Sequence, residues 1–214
     1  MTETRQVRMG AGDFSLILPG TWASIPLNDS DAMKKRISAL VKQQLGADDR
    51  LARRRIQLRN ELVETAEKAA AEGALSFSLS IELLPGAPFP AALMAKRRSW
   101  PNEVKDATAL AAAERLAKGF PTAEILSLDS GDVMARIATT EQQRYVAETT
   151  PSLMAEYWTP APDADELLYI TISAPMVPQS GLFIELFDTM IASLVWNFDV
   201  AQAVFAVQRS LDGD

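Results

Sequence analysis

The side chains available for chemistry in this chain are carboxylates, lysines, arginines and hydroxyls, because neither histidine nor cysteine occurs at any of its 214 positions. That composition excludes Ser-His-Asp and Cys-His nucleophilic catalysis, histidine-ligated metals and thiolate zinc sites within the chain. A Ser-Lys nucleophile would show S-x-x-K, and no serine has a lysine at that spacing; G-x-S-x-G, a Walker P-loop and G-x-G-x-x-G are absent as well. Among the carboxylates, Asp163-Ala-Asp165-Glu166 has the density of a hard-cation loop but lacks the glycine and the distant glutamate of an EF-hand, so it reads as a polar turn between strands. Asp129 and Asp132 enclose Ser130-Gly131 and read as the ends of a hairpin turn. No catalytic residue, metal ligand or cofactor is expected.

The cationic side chains carry more signal. Helical spacing from Asp49 to Glu72 gathers Leu51, Ala52, Ile56, Leu58, Leu62, Val63, Ala66, Ala69 and Ala70 on one wide face. Arg55 and Arg59 fall inside that apolar arc, whereas Arg50, Arg53 and Arg54 lie outside it. A charge on a buried face is costly unless paired. Two readings stand. In one, this end of the helix overhangs the core, the arginine stems lie along apolar surface, and the heads reach water or Glu61 and Glu64. In the other, Arg55 and Arg59 form a basic and apolar surface for an acidic segment of a partner. Trp100, after Lys96-Arg97-Arg98 and before Pro101, is the third candidate binding residue, as part of a surface recognition loop. Trp22, Trp158 and Trp196 sit where strand or helix ends need large core residues.

The elements that must position these residues follow from periodicity. Phe14–Pro19 reads as a strand stopped by the turn Pro19-Gly20-Thr21-Trp22, after a polar start in which Gly10-Ala11-Gly12 reads as flexible. Met33, Ile37, Leu40, Val41 and Leu45 mark a helix from Asp31 to Leu45, with Gly46 as its stop and Asp48 as the cap of the Asp49–Glu72 helix. Leu75–Leu83 alternates apolar residues with Ser76, Ser78, Ser80 and Glu82, a strand expected to be covered more heavily on one face than the other. Residues 91–98 fit helix or strand, with strand preferred, and Ala107–Lys118 reads as a helix. Strands are expected at Glu124–Leu128, Val133–Ala138, Gln143–Glu148, Leu153–Trp158 and Leu167–Ser173. In the last helix, Gly181–Leu194, the stripe is Phe183, Phe187, Met190, Ile191 and Leu194, with Glu185, Asp188 and Thr189 off it. The order predicts an α+β fold, a mainly antiparallel sheet covered by helices, in one domain spanning 1–214.

Three stretches carry a resemblance: Phe14–Trp22 (FSLILPGTW), Tyr157–Pro175 (YWTPAPDADELLYITISAP) and Leu186–Trp196 (LFDTMIASLVW). Together they resemble the Mog1/PsbP-like α/β/α sandwich group, in which an opening strand ends in a Pro-Gly-Trp turn and a meander ends in a helix packed on the sheet. The chain is most similar to uncharacterised actinobacterial proteins of that plan, some expected near type VII secretion loci. The resemblance implies binding more often than chemistry, since the group spans a nuclear-transport factor, photosystem subunits and mycobacterial lipoproteins. Residues 29–72 look like an enlarged helical segment within it.

The expected function is therefore a non-catalytic binding or adaptor protein, accessory to a type VII secretion system. The alternatives are a small-ligand binder and an enzyme using carboxylates and arginines. The expected partner is another protein, with homo-oligomers allowed. Twenty-eight acidic against twenty-one basic residues, a net charge of -7, disfavour nucleic acid. A weaker reading places Lys34–Arg59 on a membrane surface. No apolar run reaches bilayer length and no signal-peptide core follows Met1, so a cytoplasmic location is expected.

Overall fold

Period-two alternation builds the centre of the molecule, and the computed structural model shows how the sheets and helices assemble around it. It describes residues 4–197 apart from 47, 85, 129, 146–147, 163–164, 176 and 178. Asp129, Asp163 and Ala164, named above, lie outside the described residues, as do Val146 and Ala147 of the Gln143–Glu148 stretch.

The chain forms β1 (Thr4–Met9), β2 (Phe14–Pro19), β3 (Thr21–Ser24), α1 (Ser30–Leu45), α2 (Ala52–Ala71) and β4 (Ala74–Leu84). There follow β5 (Ala87–Pro88), β6 (Ala92–Ser99), α3 (Ala112–Gly119), β7 (Glu124–Ser127), β8 (Val133–Tyr145), β9 (Glu148–Pro160), β10 (Glu166–Pro175), α4 (Ser180–Ala192) and β11 (Val195–Trp196). The large sheet runs β3-β4-β6-β10-β9-β8-β7, with β5 paired to β4, and the small sheet runs β1-β2-β11. Every pairing among these strands is antiparallel. The fold is α+β, an antiparallel sheet covered by helices.

Both faces of the large sheet are buried. On one, Leu93, Ala95, Leu153, Ala155, Tyr157, Leu168, Ile170 and Ile172 pack against Phe14, Leu16 and Leu18 of β2 and Phe187, Met190 and Ile191 of α4. Burying each such side chain contributes roughly 1.5–3 kcal/mol, which fastens α4 and the small sheet to this face. On the other, Phe77, Leu79 and Ile81 of β4 meet Met33, Ile37, Leu40 and Val41 of α1. α3 covers the far end of that second face, where Trp100, Val104, Leu116, Ala135 and Leu167 form a third cluster.

Several expectations need correction. The serine face of β4 is not solvated: Ser76, Ser78 and Ser80 are all buried. They share a face with Leu93 and Ala95, their cross-strand neighbours, and small hydroxyls there let the Gly10–Gly12 turn come down on β4. That turn is a 3-10 element joining β1 to β2, with both glycines at positive φ, so the glycines shape a tight reversal and not a loose tail.

Val133–Ala138 and Gln143–Tyr145, read as parts of separate strands, belong to one strand, β8, whereas Glu148 opens β9; the polar residues Thr139–Gln142 between them are exposed and pair with Pro151–Met154 of β9. The helix expected over Ala107–Lys118 is confined to α3. Arg115 explains this, because its Nε and Nη2 donate to the carbonyls of Val104 (3.0 Å) and Lys105 (2.7 Å). Those acceptors hold the 101–110 segment in successive i to i+3 turns, as in the bonds from Val104 to Pro101 and from Ala107 to Val104.

Candidate functional site

Two short helix signals place the predicted arginines. The Asp29 carboxylate caps α1 by accepting from the N–H groups of Asp31 (2.9 Å) and Ala32 (3.0 Å). Gly46, at φ +71°, ends it. Asp48 then accepts from Arg50 N–H at 2.9 Å and starts a 3-10 turn, Asp49–Leu51, that leads into α2. The two helices lie antiparallel, with Lys34 early in α1 paired to Glu67 late in α2 at 3.1 Å.

Burial rises along α2 from Ile56, 57% exposed, through half-buried Leu58, Leu62 and Val63 to buried Ala66 and Ala69. The first turns of α2 therefore overhang the core, as the first of the two readings supposes. Arg55 Nη1 donates to the carbonyls of Gly46 (3.1 Å) and Asp48 (2.6 Å), so this arginine laces the α1–α2 turn and does not reach Glu61 or Glu64. Glu61 instead accepts from Gln57 at 2.8 Å. Arg59 is exposed and makes no ion pair or hydrogen bond among the described residues. Arg55, Arg59, Lys42, Ile56, Val41 and Ser38 line one groove of about 390 Å³ between the helices.

Trp100 does not join them. It is 3% exposed, in the cluster under α3, with the Arg115 guanidinium 3.8 Å above its ring. The surface recognition loop expected there is thus a core contact, stabilised by stacking a cation on a desolvated indole.

Register builds a second site that no local motif announces. Lys96 on β6 pairs across to Tyr169 on β10, and Tyr169 to Trp158 on β9, so the three side chains stand in a row on the helix-covered face. Phe120, just beyond α3, stacks on Trp158 at 4.6 Å, and Trp158 lies 5.1 Å from Tyr169. Trp158, expected as core, is half-buried and lines a cleft of about 320 Å³ with Lys96, Arg98, Ser99, Pro101, Phe120 and Tyr169. The Lys96 ammonium is 4% exposed and binds Glu72, at the C-terminal cap of α2, at 2.5 Å. That hydrogen bond and the lysine charge hold the Glu72 carboxyl below its usual range. The Tyr169 hydroxyl donates to Glu156, and burial is the main reason its pKa lies well above that of a free phenol.

A third polar group lies under α4. Asp188 accepts from Arg136 Nη1 at 2.5 Å and from the Tyr157 hydroxyl at 2.9 Å, and Arg136 also binds Glu124. Asp188 reads as off the apolar stripe, yet it faces the sheet at the stripe's border. Arg136 and Tyr157 both donate to Asp188 from the sheet, which makes this group a fastening for α4. Glu166, from the acidic run, opens β10 and pairs with Arg97 at 3.7 Å. No cluster of three potential metal-ligating side chains occurs among the described residues.

Neither family models, nor curated proteins, nor solved structures provide a match to this chain. The functional reading therefore rests on its own groove and cleft.

Proposed function

We propose that the protein is a non-catalytic binding protein whose α1–α2 groove receives an acidic, amphipathic segment of another protein. The observation that carries this reading is a local inversion of charge around an exposed apolar residue. Residues 29–60 hold nine Lys/Arg against four Asp in a chain whose net charge is -7. At the centre, Lys42 and Arg59 make no ion pair among the described residues, and Ile56 stands between them and the turn fastened by Arg55. Ile56, 57% exposed, offers a contact for an apolar anchor, and the flanking cations match carboxylates on the opposite side of such a segment. Polyanions that lack apolar anchors would leave Ile56 uncovered, which favours a protein partner over nucleic acid.

The resemblance to the Mog1/PsbP-like group points the same way, and a type VII secretion component is the partner to try first. No described helix is long and apolar enough to cross a membrane, so a lipid contact through these helices would be peripheral.

The test is Lys42→Glu combined with Arg59→Glu. Both side chains are exposed, so the thermal midpoint should stay near wild type. Affinity for a captured partner is expected to fall by about tenfold or more, and wild-type affinity to weaken as salt rises. Unchanged affinity overturns the proposal, as does preferential binding to anionic vesicles or to nucleic acid over the protein segment. Arg55 is left intact because replacing it would disturb the turn it fastens.

A further inference from the structure

We infer that the cleft between β6, β10, β9 and the end of α3 is a binding site for a planar ring that carries one anionic group. Three aromatic side chains shape it: Tyr169 and Trp158, adjacent by strand register, and Phe120, stacked on Trp158 at 4.6 Å. All three are half-buried, so ring surface remains open to the cleft. Its volume of about 320 Å³ suits a one- or two-ring molecule. Flat apolar walls with a few polar groups at one end select planar ligands.

The charge of the ligand follows from the balance at that polar end. Lys96 and Arg98 share one carboxylate, Glu72, at 2.5 Å and 3.9 Å. Lys68, on the last turn of α2, adds its charge to the field that keeps Glu72 ionised. Glu156, the other carboxylate on this part of the sheet, is engaged by the Tyr169 hydroxyl. Tyr169 stays neutral, held so by burial and by that carboxylate, and adds no negative charge. Glu156 keeps its charge in that hydrogen bond, so three cations, Lys68, Lys96 and Arg98, stand against two carboxylates, Glu72 and Glu156. Arg98, half exposed at the rim, presents a guanidinium that is only loosely paired and is suited to a planar anion.

A cationic ligand is disfavoured by the same geometry. The Lys96 ammonium already sits 5.5 Å from the centre of the Tyr169 ring, occupying the place a ligand ammonium would take over the aromatic row.

The experiment titrates the full chain by calorimetry with three probes of one shape, 1-naphthoate, 1-naphthamide and 1-naphthylmethylammonium, using wild type and Arg98→Gln. Wild type is expected to bind the naphthoate at least about tenfold more tightly than the other two, and Arg98→Gln to erase the difference between naphthoate and amide. A second variant, Phe120→Leu, should weaken the naphthoate and the amide together while keeping the anion preference. Equal binding of all three probes, tightest binding of the ammonium, no naphthoate binding up to about 1 mM, or an anion preference that survives Arg98→Gln each overturns the inference. The α1–α2 groove is independent of this outcome: Lys42→Glu with Arg59→Glu should leave naphthoate affinity unchanged.

Discussion

Gly20→Ala is expected to cost more than about 4 kcal/mol of stability, enough to populate unfolded chain at ambient temperature. Gly20 hands the chain from β2 in the small sheet to β3 at the edge of the large one, at φ +71°. An alanine Cβ there would lie 2.1 Å from the carbonyl oxygen of Glu82 and 2.8 Å from both Cα and O of Leu83. All three atoms belong to the backbone of β4, which cannot swing aside as a side chain would. Relief would require pulling β3 from β4 where Thr21 pairs with Glu82. Gly73→Ala is the matched control, since Gly73 has φ +72° but nothing within 4 Å of its would-be Cβ. It should cost only the left-handed strain, about 1–2 kcal/mol. Urea unfolding of both variants measures the comparison; equal losses would show that backbone strain alone, without the clash, governs the Gly20 position.

Asp188→Ala is the second large effect, expected at about 2–4 kcal/mol. The substitution leaves the buried Tyr157 hydroxyl without its acceptor and Arg136 with Glu124 alone. It also releases α4 from the sheet at the border of its apolar stripe. Asp188→Asn preserves the shape and should cost less. The pH dependence separates the roles of shape and charge.

Burial raises the Asp188 pKa, outweighing the Tyr157 hydrogen bond and the Arg136 charge, and Glu124 on the same arginine adds to the rise. The folded protein therefore holds the proton more tightly than the unfolded chain. This contribution is fully present below the unfolded pKa and is lost as pH rises through the folded one. The stability difference between wild type and Asp188→Asn should be largest below about pH 4 and shrink as pH rises beyond the ordinary aspartate range. A gap that widens with pH would mean that the Arg136 ion pair dominates instead.

Much of this architecture is legible in local pattern. The alternation of Leu75–Leu83 and the stripes Met33-Ile37-Leu40-Val41 and Phe187-Met190-Ile191 fall where β4, α1 and α4 form: one-sided burial imposes the period on the two helices, and on β4 the period separates large apolar residues from small serines on two buried faces. Residues 91–98 fit either period and become β6 because β4 and β10 pair with them from both sides. β1 escapes notice: Val7 and Met9 are too few to mark a strand that is mostly exposed and held by β2.

The candidate sites divide in the same way. Arg55 and Arg59 are legible, because two charges within an apolar arc of one helix are a local anomaly, and both line the groove. The row Lys96-Tyr169-Trp158 is not, because it depends on register across three strands and the stacking of Phe120 from beyond α3. Trp100 misleads for a related reason: the cation that stacks on it, Arg115, is fifteen positions away and not among the adjacent basic residues.

The proposal that the α1–α2 groove takes an acidic segment is tested most directly by placing a photo-crosslinking residue at position 56 and, separately, at position 182. Ile56 and Leu182 are both exposed apolar positions, one in the basic groove and the other on α4. Illumination in the source cells should yield a protein adduct from position 56, and the peptide recovered from it should combine carboxylates with apolar residues at helical or alternating spacing. Lys42→Glu with Arg59→Glu should suppress that adduct. An adduct from position 182 alone, or one from position 56 that is not acidic or that persists in the charge-reversed protein, would contradict the account.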